Sequence, residues 1–425
     1  MSRPDINNHP CFNVQAKGTC GRVHLPVAAD CNIKCNYCNR KYDCVNESRP
    51  GVTSSVLTPD QALLYLERVL EKAPNITVAG IAGPGDAFAK PEQTMESLRL
   101  IRSRFPEVIL CLATNGLNIA PYIGELAELQ VSHVTMTVNA VDPEIGARIY
   151  SWVRDGKVIY RGLDAARLLL ARQLKAIAAL KAHGIIVKVN TIVIPGINDH
   201  HVAEVARRMA ELGVDIQNCM TMYPNQDTPF AGIPEPAPEL MNTVRSVAEK
   251  IIPQMKHCTR CRADAVGLLE DDRSSEFRGC LSECSQTLPI RTDGRPYVAV
   301  ATWEGVLVNQ HLGEAERFQI WGPSEEGYAF VEERIAPEKG SGVNRWYALA
   351  EILRDCRAVL VNGIGETPAQ VLTECEILPV QMNGFIQTGL EAIYSGRNTA
   401  VLKGRRNGCA KALGCSGSGG GCGCG

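Results

Sequence analysis

The sequence predicts an α/β chain: a partial, open β/α barrel of six units followed by a small second α/β domain. Three observations carry this. Short apolar runs alternate with helix patterns from residue 22 to 256, and strict β-then-α alternation demands a parallel sheet with helical crossovers. Glycine and polar punctuation follows the strands, on the rim where barrels carry their sites. The alternation breaks over 257–295 and a shorter series of strands and helices starts at Pro296.

Taken in order, Arg22–Ala28 reads as a strand and leads into a cysteine-rich loop. Thr58-Pro59 has the cap and first-turn chemistry of a helix start, and Ala62–Leu70 carries its apolar stripe. Strand Ile76–Ile81, helix 92–104, strand Val108–Ala113, helix 121–130 and strand His133–Val138 follow. A long helix over 164–182 stops at Gly184, then come strand Ile185–Ile194, helix 199–212, strand Val214–Met222 and a helix near 237–256. The second domain starts with strands Tyr297–Thr302, Val306–Val308, Phe318–Trp321 and Tyr328–Glu332, then helix 344–354, strand Ala358–Val361 and the turn Asn362–Glu366. These give a barrel with N-terminal and C-terminal extensions over 1–275, a linker over 276–295, a second domain over 296–405 and a flexible Gly/Cys-rich tail over 406–425.

The chain has 425 residues, 45% hydrophobic and 21% charged, which excludes a disordered class. Lys plus Arg is 44 against 46 for Asp plus Glu, so general affinity for nucleic acid or an anionic membrane has no electrostatic support. A polar start without an apolar core segment, and no long apolar window, predict a cytoplasmic protein. Eighteen cysteines in that reducing setting point to metal or cluster ligation rather than disulfides.

The sharpest motif is Cys31-x-x-x-Cys35-x-x-Cys38 in the loop after the first strand. Three thiolates at this spacing can ligate three irons of a 4Fe-4S cube. The fourth iron is then open to chelation by the amino and carboxylate groups of S-adenosylmethionine, and reductive cleavage gives a 5′-deoxyadenosyl radical. Tyr37, just before the last cysteine, fits the usual form. The competing reading is a zinc site with Cys44 as fourth ligand, although zinc favours paired C-x-x-C knuckles. The other strand-end loops suit the same cofactor. Gly83, Gly85 and Asp86 follow the second strand, Thr114 and Asn115 the third, Asn139 the fourth, and the Ile194–Asn198 turn the fifth. They are candidates for the methionine, ribose and adenine parts of S-adenosylmethionine.

Further soft ligands surround this set: Cys11, His24, Cys44, Cys111 and the pair Cys258 and Cys261. Singly, Cys111 can be a buried apolar thiol, His24 a core histidine and the pair a zinc half-site. Together they have the composition for one or two more iron–sulfur clusters.

Residues 9–270 closely resemble the NifB family of nitrogenase cofactor-maturation enzymes. The resemblance lies in His9-Pro-Cys11, Val27 through Cys44, Asn46–Gly51, Ala79–Asp86, Ala113–Leu117 and Cys258-Thr-Arg-Cys-Arg-Ala-Asp-Ala265. The second domain, with Gly305–Gly313 and Phe318, looks like the NifX-type, ribonuclease H-like cofactor-carrier domain fused to some members. The resemblance implies a radical S-adenosylmethionine barrel that fuses two 4Fe-4S clusters and inserts a carbide from the S-adenosylmethionine methyl group, plus a sulfur. The product is the 8Fe-9S-C precursor of the iron-molybdenum cofactor, and S-adenosylmethionine is both methyl donor and radical source.

By the same resemblance, Cys31, Cys35 and Cys38 hold the radical cluster. Cys44, Cys258 and Cys261 hold one precursor cluster, and Cys11, His24 and Cys111 the other, with His9 the alternative imidazole. Glu47 is implied as a labile ligand or proton carrier; a salt bridge with Arg49 is the rival reading. Implied partners are cluster donors, a ferredoxin-type reductant, and the carrier and scaffold proteins of nitrogenase assembly, with no nucleic acid or membrane. Cys20, Cys280, Cys284 and the tail cysteines (Cys415, Cys422 and Cys424 among them) receive no role, and His311 is either a ligand for finished product or an exposed turn residue. A peptide-modifying radical enzyme and a passive cluster scaffold are the rival functions.

Overall fold

The computed structural model describes residues 5–39, 53–258, 261–287, 294–324 and 327–396. The chain divides into two compact units, Met1–Ser285 and Gln286–Gly425.

The first unit contains β1 (Gly21–His24), β2 (Ile33–Cys35), α1 (Pro59–Lys72), β3 (Ile76–Ile81), α2 (Pro91–Arg104) and β4 (Ile109–Thr114). It continues with α3 (Ile123–Glu128), β5 (Val131–Thr137), α4 (Pro143–Ile149), β6 (Tyr150–Asp155), β7 (Val158–Tyr160) and α5 (Gly162–Ala182). Then come β8 (Ile186–Val193), α6 (Val202–Glu211), β9 (Ile216–Thr221), α7 (Pro238–Glu249), β10 (Val266–Gly267) and α8 (Ser274–Gln286). Six strands form a parallel sheet in the order β1-β3-β4-β5-β8-β9, and β10 adds antiparallel to β1 at one edge. This is the expected open barrel.

Local chemistry explains the boundaries. Thr58 caps α1 in a capping box with Gln61, with Pro59 in the first turn. β1 stops at His24, four residues short of the expected end, because Pro26 has no N–H for a sheet ladder. Only a single bridge, Ala28 to Pro84, carries the pairing further. The helices expected over 121–130 and 199–212 each begin as a short 3-10 turn. The last helix of the series ends at Glu249, ahead of Pro253.

Three differences matter for the site. Inside the cysteine loop, β2 pairs antiparallel with β6, and β6 with β7, so the motif sits on its own three-stranded sheet. The sequence reading had neither this hairpin nor α4. The expected linker from 276 is occupied up to Gln286 by α8, whose Phe277, Leu281 and Cys284 are buried in the main core of the first unit. Cys280 and Cys284 therefore lie on that helix, and burial pushes the Cys284 thiol up to about 12, as expected of a core thiol.

The second unit contains β11 (Tyr297–Val300), β12 (Leu307–Val308), β13 (Arg317–Ser324), β14 (Gly327–Ile335), α9 (Asn344–Ile352) and β15 (Cys356–Val361). It ends with α10 (Glu366–Glu374), β16 (Leu378–Gln381), β17 (Gly384–Phe385) and α11 (Ile386–Tyr394), of which the sequence reading had none. Its mixed sheet runs β14-β13-β11-β15-β16, with two apolar clusters, one around Phe318 and Leu349 and one around Val298 and Leu390. Among the described residues no helix is long and apolar enough to cross a membrane.

Candidate active site and cluster pocket

The cysteine triplet is built by short-range pairing. Ile33 pairs with Val153 and Cys35 with Tyr150, Asn36 N–H donates to Ile149 O (2.8 Å), and Cys38 N–H donates to Cys35 O (3.1 Å). The Lys34 ammonium closes the turn on Cys38 O at 2.5 Å. Cys35 and Cys38 are buried and Cys31 is half-buried. Burial, then the nearby Cys38 and Cys31, hold the Cys35 thiol well above its usual range. Cys38 and Cys31 thus lie near enough to disfavour a Cys35 thiolate at this corner, a repulsion that bound iron would relieve, with release of protons.

The rim loops brace that corner. Gly85 N–H donates to Ala28 O (2.5 Å) and Asp86 N–H to Asp30 O (2.7 Å), which binds the glycine loop to the chain just ahead of Cys31. A Cβ on Gly85 would lie 2.1 Å from Asp30 O, so only glycine fits. The carboxylate of Asp86, expected near a methionine amino group, accepts from Phe88 N–H (2.9 Å), the Thr114 hydroxyl (3.0 and 3.2 Å) and Asn115 N–H (2.5 Å). It ties the loops after β3 and β4 together. Asn115 donates to Asn32 Oδ1 (2.7 Å) and lies 3.9 Å from Cys31 Sγ. Asn139 donates to the Tyr37 hydroxyl (2.9 Å) and accepts from Ile192 N–H (2.9 Å). The Ile194 turn is held by Asn198, whose Oδ1 accepts from Ile194 N–H at 2.7 Å. Asn198 belongs to the turn already expected at the site, whereas Asn32, inside the motif, and Asn225, which donates to Tyr37 O (2.8 Å), are supports to which the sequence analysis gives no role.

A second cavity lies inside the barrel, with ≈ 610 Å³ of space not taken by atoms, its open mouth included. Cys11, His24, Cys111, Cys258 and Cys261 all line it. Strand register explains part of this: His24 pairs with Gly80, Gly80 with Cys111, and Cys111 with His133, so one row crosses four strands. Gly80 leaves the room; a Cβ there would lie 2.9 Å from Cys111 Sγ and 3.6 Å from His24 Nε2. Cys258 also packs against the apolar cluster that contains Cys35 and Cys38, and so borders both sites. Cys44 and Glu47, like the tail cysteines, lie outside the described residues. Cys20, Cys280 and Cys284 do not line the cavity.

The two histidines differ in tautomer. His24 Nδ1 is 2.7 Å from Arg262 O, an acceptor, so that nitrogen carries the proton and Nε2 keeps its lone pair. Burial, then Arg22, lowers His24 to about 4, so the ring is neutral at pH 7. His9 is the reverse: Nδ1 accepts from Cys11 N–H (3.2 Å), which puts the proton on a buried Nε2 with no hydrogen-bond partner among the described residues. His24 therefore has the form a metal ligand needs.

No group of three or more His, Cys, Asp or Glu side chains among the described residues is gathered tightly enough to hold one metal ion. Ligands of a four-iron cube bind different irons and stand further apart than those of a single ion. None of the described cysteines is joined in a disulfide.

Residues 25–209 match the family model described as the Radical SAM superfamily, and residues 295–396 match that of the dinitrogenase iron-molybdenum cofactor. The chain is 52% identical over 420 residues to the FeMo cofactor biosynthesis protein NifB of Chlorobaculum tepidum, covering 98% of this chain and 99% of the relative. It is 40% identical over 403 residues to the protein of the same name from Klebsiella pneumoniae, covering 87% and 86%.

Proposed function

The chain belongs to the NifB family of FeMo cofactor biosynthesis proteins, and from that membership we propose that it builds the 8Fe-9S-C precursor of the iron-molybdenum cofactor from two 4Fe-4S substrate clusters. The single observation that carries this reading is the shared cavity: ligands of both implied precursor sets, Cys11, His24 and Cys111 with Cys258 and Cys261, face one space. Two clusters that are to be fused need such adjacency, whereas clusters that only relay electrons can sit apart.

Cys31, Cys35 and Cys38 would hold the radical cluster, which when bound supplies the electron that cleaves S-adenosylmethionine into methionine and a 5′-deoxyadenosyl radical. The chain's own contribution is positioning. Asn139 and Asn225 fix Tyr37 at the mouth of the triplet, and Asp86 fixes Asn115 beside Cys31. Burial keeps water from the corner where a radical would form. In the cavity, His24 offers a neutral nitrogen donor that exchanges more readily than thiolate, which suits a substrate cluster that must leave. The finished cluster would pass to the second unit or to carrier proteins, with His311 as its candidate ligand. Ferredoxin-type reductants and cluster donors are the partners this chemistry needs, and a cytoplasmic setting would keep the thiols reduced.

The test is anaerobic reconstitution with iron and sulfide, reduction, and addition of S-adenosylmethionine labelled at the methyl carbon. The expected products are 5′-deoxyadenosine and S-adenosylhomocysteine together, with label retained in an acid-stable iron–sulfur product. 5′-Deoxyadenosine without cluster label would replace this reading with the peptide-modifying enzyme, and neither nucleoside would replace it with the scaffold. Separately, Cys258→Ala with Cys261→Ala is expected to lower iron content by about one cluster while the radical cluster still cleaves S-adenosylmethionine. Unchanged iron content would sink that ligand assignment.

A further inference from the structure

The cavity carries two cations that the ligand set does not explain. Arg22 is buried at 1% exposure in β1, and its guanidinium spans two structures. Nη1 donates to Gly267 O and Leu268 O, both at 2.6 Å, while Nε and Nη2 donate to Cys261 Sγ at 3.3 and 3.1 Å. Lys188, the third residue of β8, is buried at 5% exposure, and its ammonium lies 5.3 Å from the Phe12 ring centroid. Both side chains line the cavity with four cysteines, and among the described residues no Asp or Glu lines it.

We propose that Arg22 and Lys188 form a cationic cradle that makes this cavity selective for a polyanionic iron–sulfur occupant, Arg22 by positioning Cys261 and Lys188 by placing a fixed charge on the Cys11 side. This rests on the reading of the cavity as the cluster chamber. A cluster held by several thiolates brings net negative charge into a low-dielectric interior, where each unit of charge is expensive unless countered. A guanidinium fork suits a metal-bound thiolate because its two N–H groups share one sulfur while the third nitrogen is anchored to β10. It also fixes the end of the C-x-x-C segment to the barrel wall.

On the other side, Lys188 lines the cavity together with Cys11, its ammonium over the ring of Phe12, the next residue in the chain.

The experiment uses the full chain, reconstituted anaerobically, and follows iron loss to a chelator with the electron paramagnetic resonance spectrum of the reduced protein. Lys188→Met and Arg22→Lys are expected to weaken the hold on cavity iron about 10–100-fold, the usual effect of removing a partner that supports a metal ligand. The midpoint potential of the cavity cluster shifts negative in Lys188→Met. The spectral change that S-adenosylmethionine induces in the radical cluster stays as in the unaltered chain. Lys188→Arg, which keeps the charge, is expected to hold iron normally. Unchanged retention and potential in Lys188→Met would overturn the cradle, and so would equal loss in Lys188→Arg, since shape rather than charge would then matter. The Lys188 pair decides the matter even where Arg22→Lys fails to fold. If Cys258→Ala with Cys261→Ala also leaves iron unchanged, it is the cluster-chamber reading that fails.

Discussion

His24 and His9 are both buried, both neutral and both line the cavity, yet only His24 keeps a ring nitrogen with a bare lone pair. The difference is one hydrogen bond: a carbonyl on Nδ1 leaves Nε2 of His24 bare, and an N–H on Nδ1 leaves Nε2 of His9 protonated. Iron and sulfide analysis checks this directly, with His24→Ala expected to lose cavity iron and His9→Gln to retain it. Burial also has a pH consequence. His133 is held down to about 3, first by burial and then by Lys188, against an ordinary value of 6.5. Below pH 6.5 the unfolded chain binds a proton there that the folded chain does not, so stability falls as pH drops from 6.5 toward 3. Thermal melts of the metal-free protein between pH 7 and 5 are expected to show a falling midpoint, and His133→Gln to flatten that slope.

Among the elements, the loops after β1 and β3 behave as one device. Gly85 approaches Asp30 so closely that its backbone acts as a template for the chain leading into Cys31. Gly85→Ala is expected to destabilise the fold by about 1–3 kcal/mol through overpacking and to reduce loading of the radical cluster, while cavity iron survives. Iron counts with and without Cys258→Ala and Cys261→Ala separate the two effects. The β6–β7 hairpin is the other half of this device, since it pairs with the triplet itself. Its signal was present in the sequence: Gly156-Lys157 between Val153 and Val158-Ile-Tyr160 is a two-residue hairpin loop, with Gly156 at φ +59. It was missed because a βα count passes over a short strand that faces a loop instead of the main sheet.

For the whole molecule, each of the two compact units has its own apolar core. Scanning calorimetry of the metal-free chain is expected to resolve two transitions, of which only the one from the first unit moves upward when iron and sulfide are added. A single transition that shifts as a whole would contradict this.

The barrel, the cysteine triplet and the surplus of soft-ligand residue types were legible in the chain because they depend on local order: periodicity, glycine placement and cysteine spacing act within a few residues. That Cys11, His24, Cys111, Cys258 and Cys261 share one cavity was not, since they lie up to 250 residues apart and meet only through strand register and a returning C-terminal segment. Arg22 and Lys188 belong to the same class. A lone charge in an apolar strand is visible in the sequence, but which sulfur it faces depends on the sheet closing around it, because electrostatic partners are chosen by distance in space and not by distance along the chain.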